Sequence, residues 1–97
     1  MPTNSEPTHL GSSTVDEVIR EILRTHARLH VDVEALRDKD DLFRAGMTSL
    51  ANVSVMLAVE DAFDVEFSEP MLRRSTFQSV SAIAAAVREL LSEREPA

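Results

Sequence analysis

Apolar residues recur along this chain in three helical stripes, separated by connections that are polar but punctuated by single apolar anchors. Val15, Val18, Ile19, Ile22 and Leu23 return every three or four residues, with His26 close to the same line, while Asp16, Glu17, Arg20, Glu21 and Arg24 fall elsewhere. Thr14-Val15-Asp16-Glu17 fits a capping box, so the first helix is expected to begin at Thr14. Over residues 49–63, Leu50, Val53, Val55, Met56, Leu57, Val59 and Phe63 make a stripe wider than a surface helix needs, so part of it should face something other than the core. Phe77, Val80, Ile83, Ala84, Val87, Leu90 and Leu91 form the third stripe, with Ser75 or Thr76 placed to cap it.

Between these stripes the connections carry their own signals. Residues 30–48 intersperse Val31, Val33, Leu36, Leu42 and Phe43 among Asp32, Glu34, Asp38, Asp40 and Asp41, and such a long connection in a small domain is ordered by its anchors or functional. Ser68-Glu69-Pro70 followed by Met71 and Leu72 suits one short helix or turn. The pattern predicts an all-α fold with three longer helices and a short one before the last. Residues 1–12 hold two prolines, a glycine and small polar residues, and are expected to be a disordered tail. The folded domain is expected over 13–92, with 93–97 fraying.

Composition narrows the chemistry. Ninety-seven residues with 43% hydrophobic content allow one modest core, and the lack of tryptophan and tyrosine suits helices packed by aliphatic side chains. Ten basic against seventeen acidic residues give a formal charge of -7, which disfavours nucleic acid and anionic membranes and favours a basic protein partner. Arg73-Arg74 is too brief for a nucleic-acid patch. Without cysteine there is no disulfide, thiolate nucleophile or thiolate metal site, and no apolar run approaches a membrane span, so a cytoplasmic monomer is expected. Asp38-Lys39-Asp40-Asp41 lacks the alternating ligands and central glycine of an EF-hand loop. His26 and His30 have no third ligand at a usable spacing, and His9 lies in the tail. There is no Gly-x-Ser-x-Gly elbow, zinc helix or phosphate-binding glycine loop, so an enzyme has little support.

The remaining chemistry converges on Asp41 to Leu50, which closes a polar loop and opens the most apolar helix. Gly46 can take backbone angles that a Cβ resists, and Thr48 and Ser49 can supply oxygens to the free amides of the helix that follows. A phosphodiester on such a hydroxyl would meet unpaired N–H groups and the positive end of the helix dipole.

With Gly46-Met47-Thr48-Ser49-Leu50 in this position, and Val53, Val59, Glu60, Phe63, Val65 and the run Thr76-Phe77-Gln78-Ser79-Val80 downstream, the chain resembles the acyl and peptidyl carrier proteins over about residues 14–91. The resemblance implies a four-helix bundle, with Ser49 bearing a covalent 4′-phosphopantetheine arm. A phosphopantetheinyl transferase would attach the arm, a ligase would load an acyl or aminoacyl group as a thioester, and a downstream acyl-transfer enzyme would receive it. Thr48 stands where the family usually has aspartate, and Ala51 and Ser54 stand where fatty-acid carriers have acidic residues. Partner recognition should therefore lean on Met47, Leu50 and Met56, with Thr48, Glu60 and Asp61 beside them. Leu42-Phe43 ahead of Gly46 is similar to peptidyl carriers, which sets an amino acid loaded by an amino acid:carrier protein ligase level with a fatty acid as cargo. A different class of answer, an unmodified helical adaptor that binds through its second helix, rests on the width of that helix's apolar stripe.

Overall fold

The computed structural model describes residues 12–94, and the expected tail over residues 1–11 lies outside the described residues. Three α-helices, α1 (Ser12–His26), α2 (Ser49–Phe63) and α3 (Val80–Arg94), are joined by connections that contain 3-10 turns at Val33–Ala35, Glu69–Met71 and Arg74–Phe77. The helix α1 begins at Ser12, so Thr14 falls inside its first turn rather than capping it; the side chains of residues 12–14 lie outside those described.

The all-α class holds, while the short fourth helix is two 3-10 turns. Arg73 between them is extended, at φ -144 and ψ 162, and cannot continue a helix. The aromatic rings on either side account for the break. Phe67 and Phe77 are both buried and meet edge to face with ring centroids 5.0 Å apart. A continuous helix over residues 69–77 would push its ends about 12 Å apart, whereas two turns hinged at Arg73 bring the second phenylalanine back to the first. The last helix accordingly starts later than its apolar period suggests. Its cap is Ser79, whose Oγ accepts the Ala82 N–H at 3.0 Å, and not Ser75 or Thr76.

The core forms where the three stripes meet. Ile19 and Leu23 of α1, Val55 and Val59 of α2, and Ile83 and Val87 of α3 are all sealed from solvent, joined by Leu42 from the long connection and by Phe77. Each such side chain contributes about 1.5–3 kcal/mol of transfer free energy. Ala84 and Ala86 are buried where small residues permit close approach of α3. In α2 only Ala51, Val55 and Val59 are buried, a single line at four-residue spacing. Leu50, Val53 and Leu57 are exposed at 79%, 46% and 55%. Part of the wide stripe thus faces away from the core, as its width suggests.

The connections are tied down at both ends. Arg20 of α1 donates to the Val33 carbonyl at 3.0 Å and to Asp38 at 2.9 Å, and Arg24 bridges Glu21 and Glu34. Ser81 N–H donates to the Asp38 carbonyl at 2.9 Å, fixing the same loop to the start of α3. At the other end of the bundle, Asp64 caps α2 in the left-handed region at φ 55, and Arg94 donates to the Phe63 and Asp64 carbonyls at 3.2 and 2.9 Å. A cation on the terminal carbonyls offsets the acidic residues gathered there. Glu93 and Arg94 are therefore helical and partly anchored rather than frayed, and residues 95–97 lie outside the described residues.

Phe77 is 2% exposed and meets Phe67 edge to face, so Phe77→Ala is expected to cost about 3–5 kcal/mol in denaturant unfolding. A loss under about 1 kcal/mol would show that the ring is not held in the core.

Candidate functional site

The segment that presents Ser49 is built from one helical turn and the device that stops it. Ala45 N–H donates to the Asp41 carbonyl at 3.1 Å, closing the turn, and the Asp41 Oδ1 accepts the N–H groups of Phe43 and Arg44 at 2.9 and 3.2 Å. Gly46 N–H then donates to Phe43 O and Met47 N–H to Leu42 O, the paired bonds of a Schellman ending. Gly46 sits at φ +118, and a Cβ there would lie 2.8 Å from the His30 ring and 3.0 Å from its backbone nitrogen. Glycine is required twice over, by its angle and by the approach of His30.

Met47 follows and is buried, at 3% exposure, so the chain is anchored immediately before it emerges. Thr48 is extended, and its Oγ1 accepts the Ala51 N–H at 3.0 Å as the N-cap of α2. Ser49 is the first helical residue and is exposed. Among the described residues no partner holds its hydroxyl. The two adjacent hydroxyls thus divide two tasks: Thr48 closes the helix, and Ser49 is left available.

Behind Ser49 lies a cavity of about 250 Å³, lined by Phe43, Ser49, Asn52, Met56, Leu72, Arg73, Arg74 and Phe77. The guanidinium of Arg74 stands 3.9 Å above the Phe43 ring. Asn52, three residues beyond Ser49 on the same helix face, has its side-chain oxygen buried with no hydrogen-bond partner. Leaving such an acceptor unmet costs about 1–3 kcal/mol. An exposed, unengaged hydroxyl at a helix N-terminus, two cations beside it and an unmet acceptor one turn away suit a phosphodiester that carries a polar chain.

The sequence pattern of the family described as the phosphopantetheine attachment site matches residues 13–87. The chain belongs to that family. This carrier protein is 40% identical to the aminoacyl carrier protein of Agrobacterium fabrum over 83 residues, which are 86% of this chain and all of that protein. Its fold is similar to that of the carrier protein from Agrobacterium tumefaciens in crystal structures with an engineered Bradyrhizobium japonicum glycine:[carrier protein] ligase. With ATP bound in that complex, the TM-score is 0.75 and the identity 40%, over 77% of this chain and 97% of the other. A solution structure of an Agrobacterium tumefaciens protein gives a TM-score of 0.67 at 40% identity, over 84% of this chain and 99% of the other. The cofactor of this carrier is 4′-phosphopantetheine, the covalent arm of its family.

The residues expected to meet partners separate into several kinds in the carrier. Leu50 is fully presented, and Met56 is half-buried in the wall of the cavity. Met47 is not on a contact face, because the turn at Gly46 drives it into the core. Glu60 is also committed internally, its Oε2 accepting the Phe67 N–H at 2.9 Å and so fixing the loop after α2. Asp61 is exposed with His26, Ser54, Leu57 and Ala58 around a shallow groove on another face. The sequence pattern does not mark Asn52 as part of the site, nor place Arg73 and Arg74 beside Ser49. A lone amide inside an apolar helix, three residues after Ser49, is the available signal for the first. Among the described residues no cluster of three or more His, Asp or Glu side chains could hold a metal ion, and no helix is long and apolar enough to cross a membrane.

Since Thr48 rather than Ser49 caps α2, Thr48→Ala should cost about 1 kcal/mol in unfolding experiments, against less than about 0.5 kcal/mol for Ser49→Ala. The reverse order would return the cap to Ser49. Partial burial pushes the Asp41 carboxyl up, but hydrogen bonds from Arg44 N–H, the Gln78 amide and Phe43 N–H, with the charge of Arg74, outweigh it and hold the group below its usual value. A lowered carboxylate stabilises the fold above its unfolded-state value, and this contribution is lost as pH falls through the folded one. The stability gap between wild type and Asp41→Asn should therefore be full at about pH 6 and shrink below about pH 4. A gap that is unchanged down to pH 2 would contradict it.

Proposed function

We propose that Ser49 is the attachment residue and that the chain is a discrete carrier for an amino acid, with a folded unit over residues 13–92 and no catalysis of its own. The observation that supports this best is the division between Thr48 and Ser49. The first hydroxyl is consumed by the Ala51 N–H, while the second is exposed, unengaged and set at the N-terminus of α2. When attached, the arm supplies the thiol that a cysteine-free chain lacks and on which cargo is held as a thioester. The chain's own work is to hold the serine rigidly, through the Gly46 turn and the buried Met47, and to present it beside Leu50.

The amino acid cargo rests on likeness: the Agrobacterium relative is an aminoacyl carrier, and the similar carrier structures are bound to a glycine:[carrier protein] ligase. The partners are accordingly a phosphopantetheinyl transferase, an amino acid:carrier protein ligase and a downstream acyl-transfer enzyme, in the cytoplasm, with the carrier monomeric between encounters. Leu50, exposed next to Ser49, and Leu72, exposed at the cavity, give these partners apolar surface, and Met56 lies in the cavity wall. Glu60 and Met47, expected among the partner contacts, are engaged within the fold, by the Phe67 N–H and by burial.

Intact mass spectrometry after incubation with coenzyme A, magnesium and a broad-specificity transferase tests the reading. Wild type should gain one phosphopantetheinyl group and Ser49→Ala none, with both variants equally folded by circular dichroism. Modification that persists in Ser49→Ala would move the site. Protein from its native cell without the arm would favour an unmodified adaptor.

A further inference from the structure

The charged residues of this chain are sorted along α2, and in the order that stabilises the helix least. No aspartate or glutamate occurs over residues 42–59 or 70–88, the two stretches that supply the walls of the cavity beside Ser49. That cavity is lined by Arg73 and Arg74 instead. At the other end of α2 a groove is lined by Glu60, Asp64, Glu66 and Glu93, and Arg94, the one cation in that lining, is held by the Phe63 and Asp64 carbonyls. A helix dipole favours anions in the first turn and cations in the last. The sequence of α2 has neither. Its positive terminus therefore adds to the arginines and its negative one to the carboxylates, so a chain of formal charge -7 presents Ser49 at its positive end.

We propose that the protein surfaces that meet Ser49 carry carboxylates around an apolar patch, the opposite sign to the one that the net charge alone suggests. The inference rests on the carrier reading and names the chemistry of its partners. Three observations support it. Arg73 is exposed and makes no ion pair among the described residues, so its charge is open to a partner. Asp41, the carboxylate whose charge acts on Arg74, is engaged within the fold, with Oδ1 accepting the Phe43 and Arg44 N–H groups and Oδ2 the Gln78 amide. Leu50 and Leu72, exposed at 79% and 49%, supply apolar surface beside the cations. A partner carboxylate placed there gains from the guanidinium groups and from the helix terminus together. The acidic far end has the complementary effect, since the same partner repels it and the carrier turns its serine forward on approach. A long polyanion would meet that acidic end as well, which favours a local acidic patch on a protein over a nucleic acid or a membrane.

The test titrates the isotope-labelled full chain, followed by nuclear magnetic resonance, with two amphipathic helical peptides. They share one leucine face and differ in its flanks, glutamate in one and lysine in the other. It is run on the unmodified chain and again after mass spectrometry has shown one arm per chain, so failure of attachment and failure of docking stay distinct. At low salt the glutamate peptide should shift the amide signals of Leu50, Leu72 and Arg73, and the lysine peptide those of Glu66 and Glu93. Arg73→Glu breaks no ion pair of the fold, should match wild type by circular dichroism, and should weaken the glutamate peptide about fivefold while drawing the lysine peptide to Leu50 and Leu72. Raising the salt should shrink these differences. A glutamate peptide that shifts none of the three amides, or binds them equally in Arg73→Glu, would overturn the proposal, as would a lysine peptide that settles on Leu50 and Leu72 in wild type. It would also fall if those amides respond to phosphatidylglycerol vesicles and not to the glutamate peptide, or shift with the concentration of the carrier alone, which would place a lipid surface or a second copy there.

Discussion

Residue 78 and the pair Asp41–Leu42 are joined by two hydrogen bonds that run in opposite directions. Leu42 N–H donates to the Gln78 carbonyl at 2.8 Å, and the Gln78 side-chain amide donates back to Asp41 Oδ2 at 3.0 Å. The other oxygen of the same carboxylate holds the N–H groups of Phe43 and Arg44, so one side chain fixes both the turn before α2 and its distance from the turn before α3. The serine and the far wall of its cavity lie on the two segments thus joined. Phe43 and Ser49 come from one, and Arg74 and Phe77 from the other. A site split between distant stretches of chain needs such a clasp to hold its two walls in register.

Within this frame the threonine at position 48 gains a meaning that its departure from the family pattern did not show. Aspartate at an N-cap would serve α2 about as well as threonine does, so the helix gives no reason for the exchange. The difference lies in charge. A carboxylate at 48 would add a negative charge at the helix terminus that presents Ser49, whereas a hydroxyl caps it without one. Two of the ten basic residues of this acidic chain, Arg73 and Arg74, line this cavity, and Arg74 stands over the Phe43 ring.

How far the site could be read in advance depended on the kind of interaction that decided each position. The bounds of α2 and the place of Ser49 are local matters of period, glycine and capping, and the sequence displays them. The core set followed from the same period, with Ile19, Leu23, Val55, Ile83 and Val87 all sealed. What was not legible depended on distant partners. The run 69–77 has the composition of a short helix, yet the meeting of Phe67 and Phe77 divides it into two turns. Glu60 looked like surface charge because its partner, the Phe67 amide, is seven residues away across a helix end. Met47 looked exposed because a polar loop surrounds it, and only the reversal at Gly46 turns it inward. Asn52 shows a limit of another kind, for an unmet acceptor is visible only after every neighbouring donor has been placed.

The second helix carries a conflict between folding and use. Two thirds of its positions are apolar, but burial is confined to the line of Ala51, Val55 and Val59. A helix that served only the fold would put polar residues at 50, 53 and 57, since exposed leucine and valine add nothing to the core and favour association. Their retention therefore points to contacts made part of the time. Such contacts must also be broken, because a carrier that bound one enzyme tightly could not reach the next. Small apolar patches of single side chains meet that need better than a continuous groove would, and a net charge far from zero limits self-association while they are uncovered. The same reasoning explains why α2 is held so firmly at both ends, by Thr48 at one and by Arg94 on the Phe63 and Asp64 carbonyls at the other. A face that is used repeatedly but never buried for long gains no stability from its partners, so its helix must be kept in place by caps and by a narrow buried line.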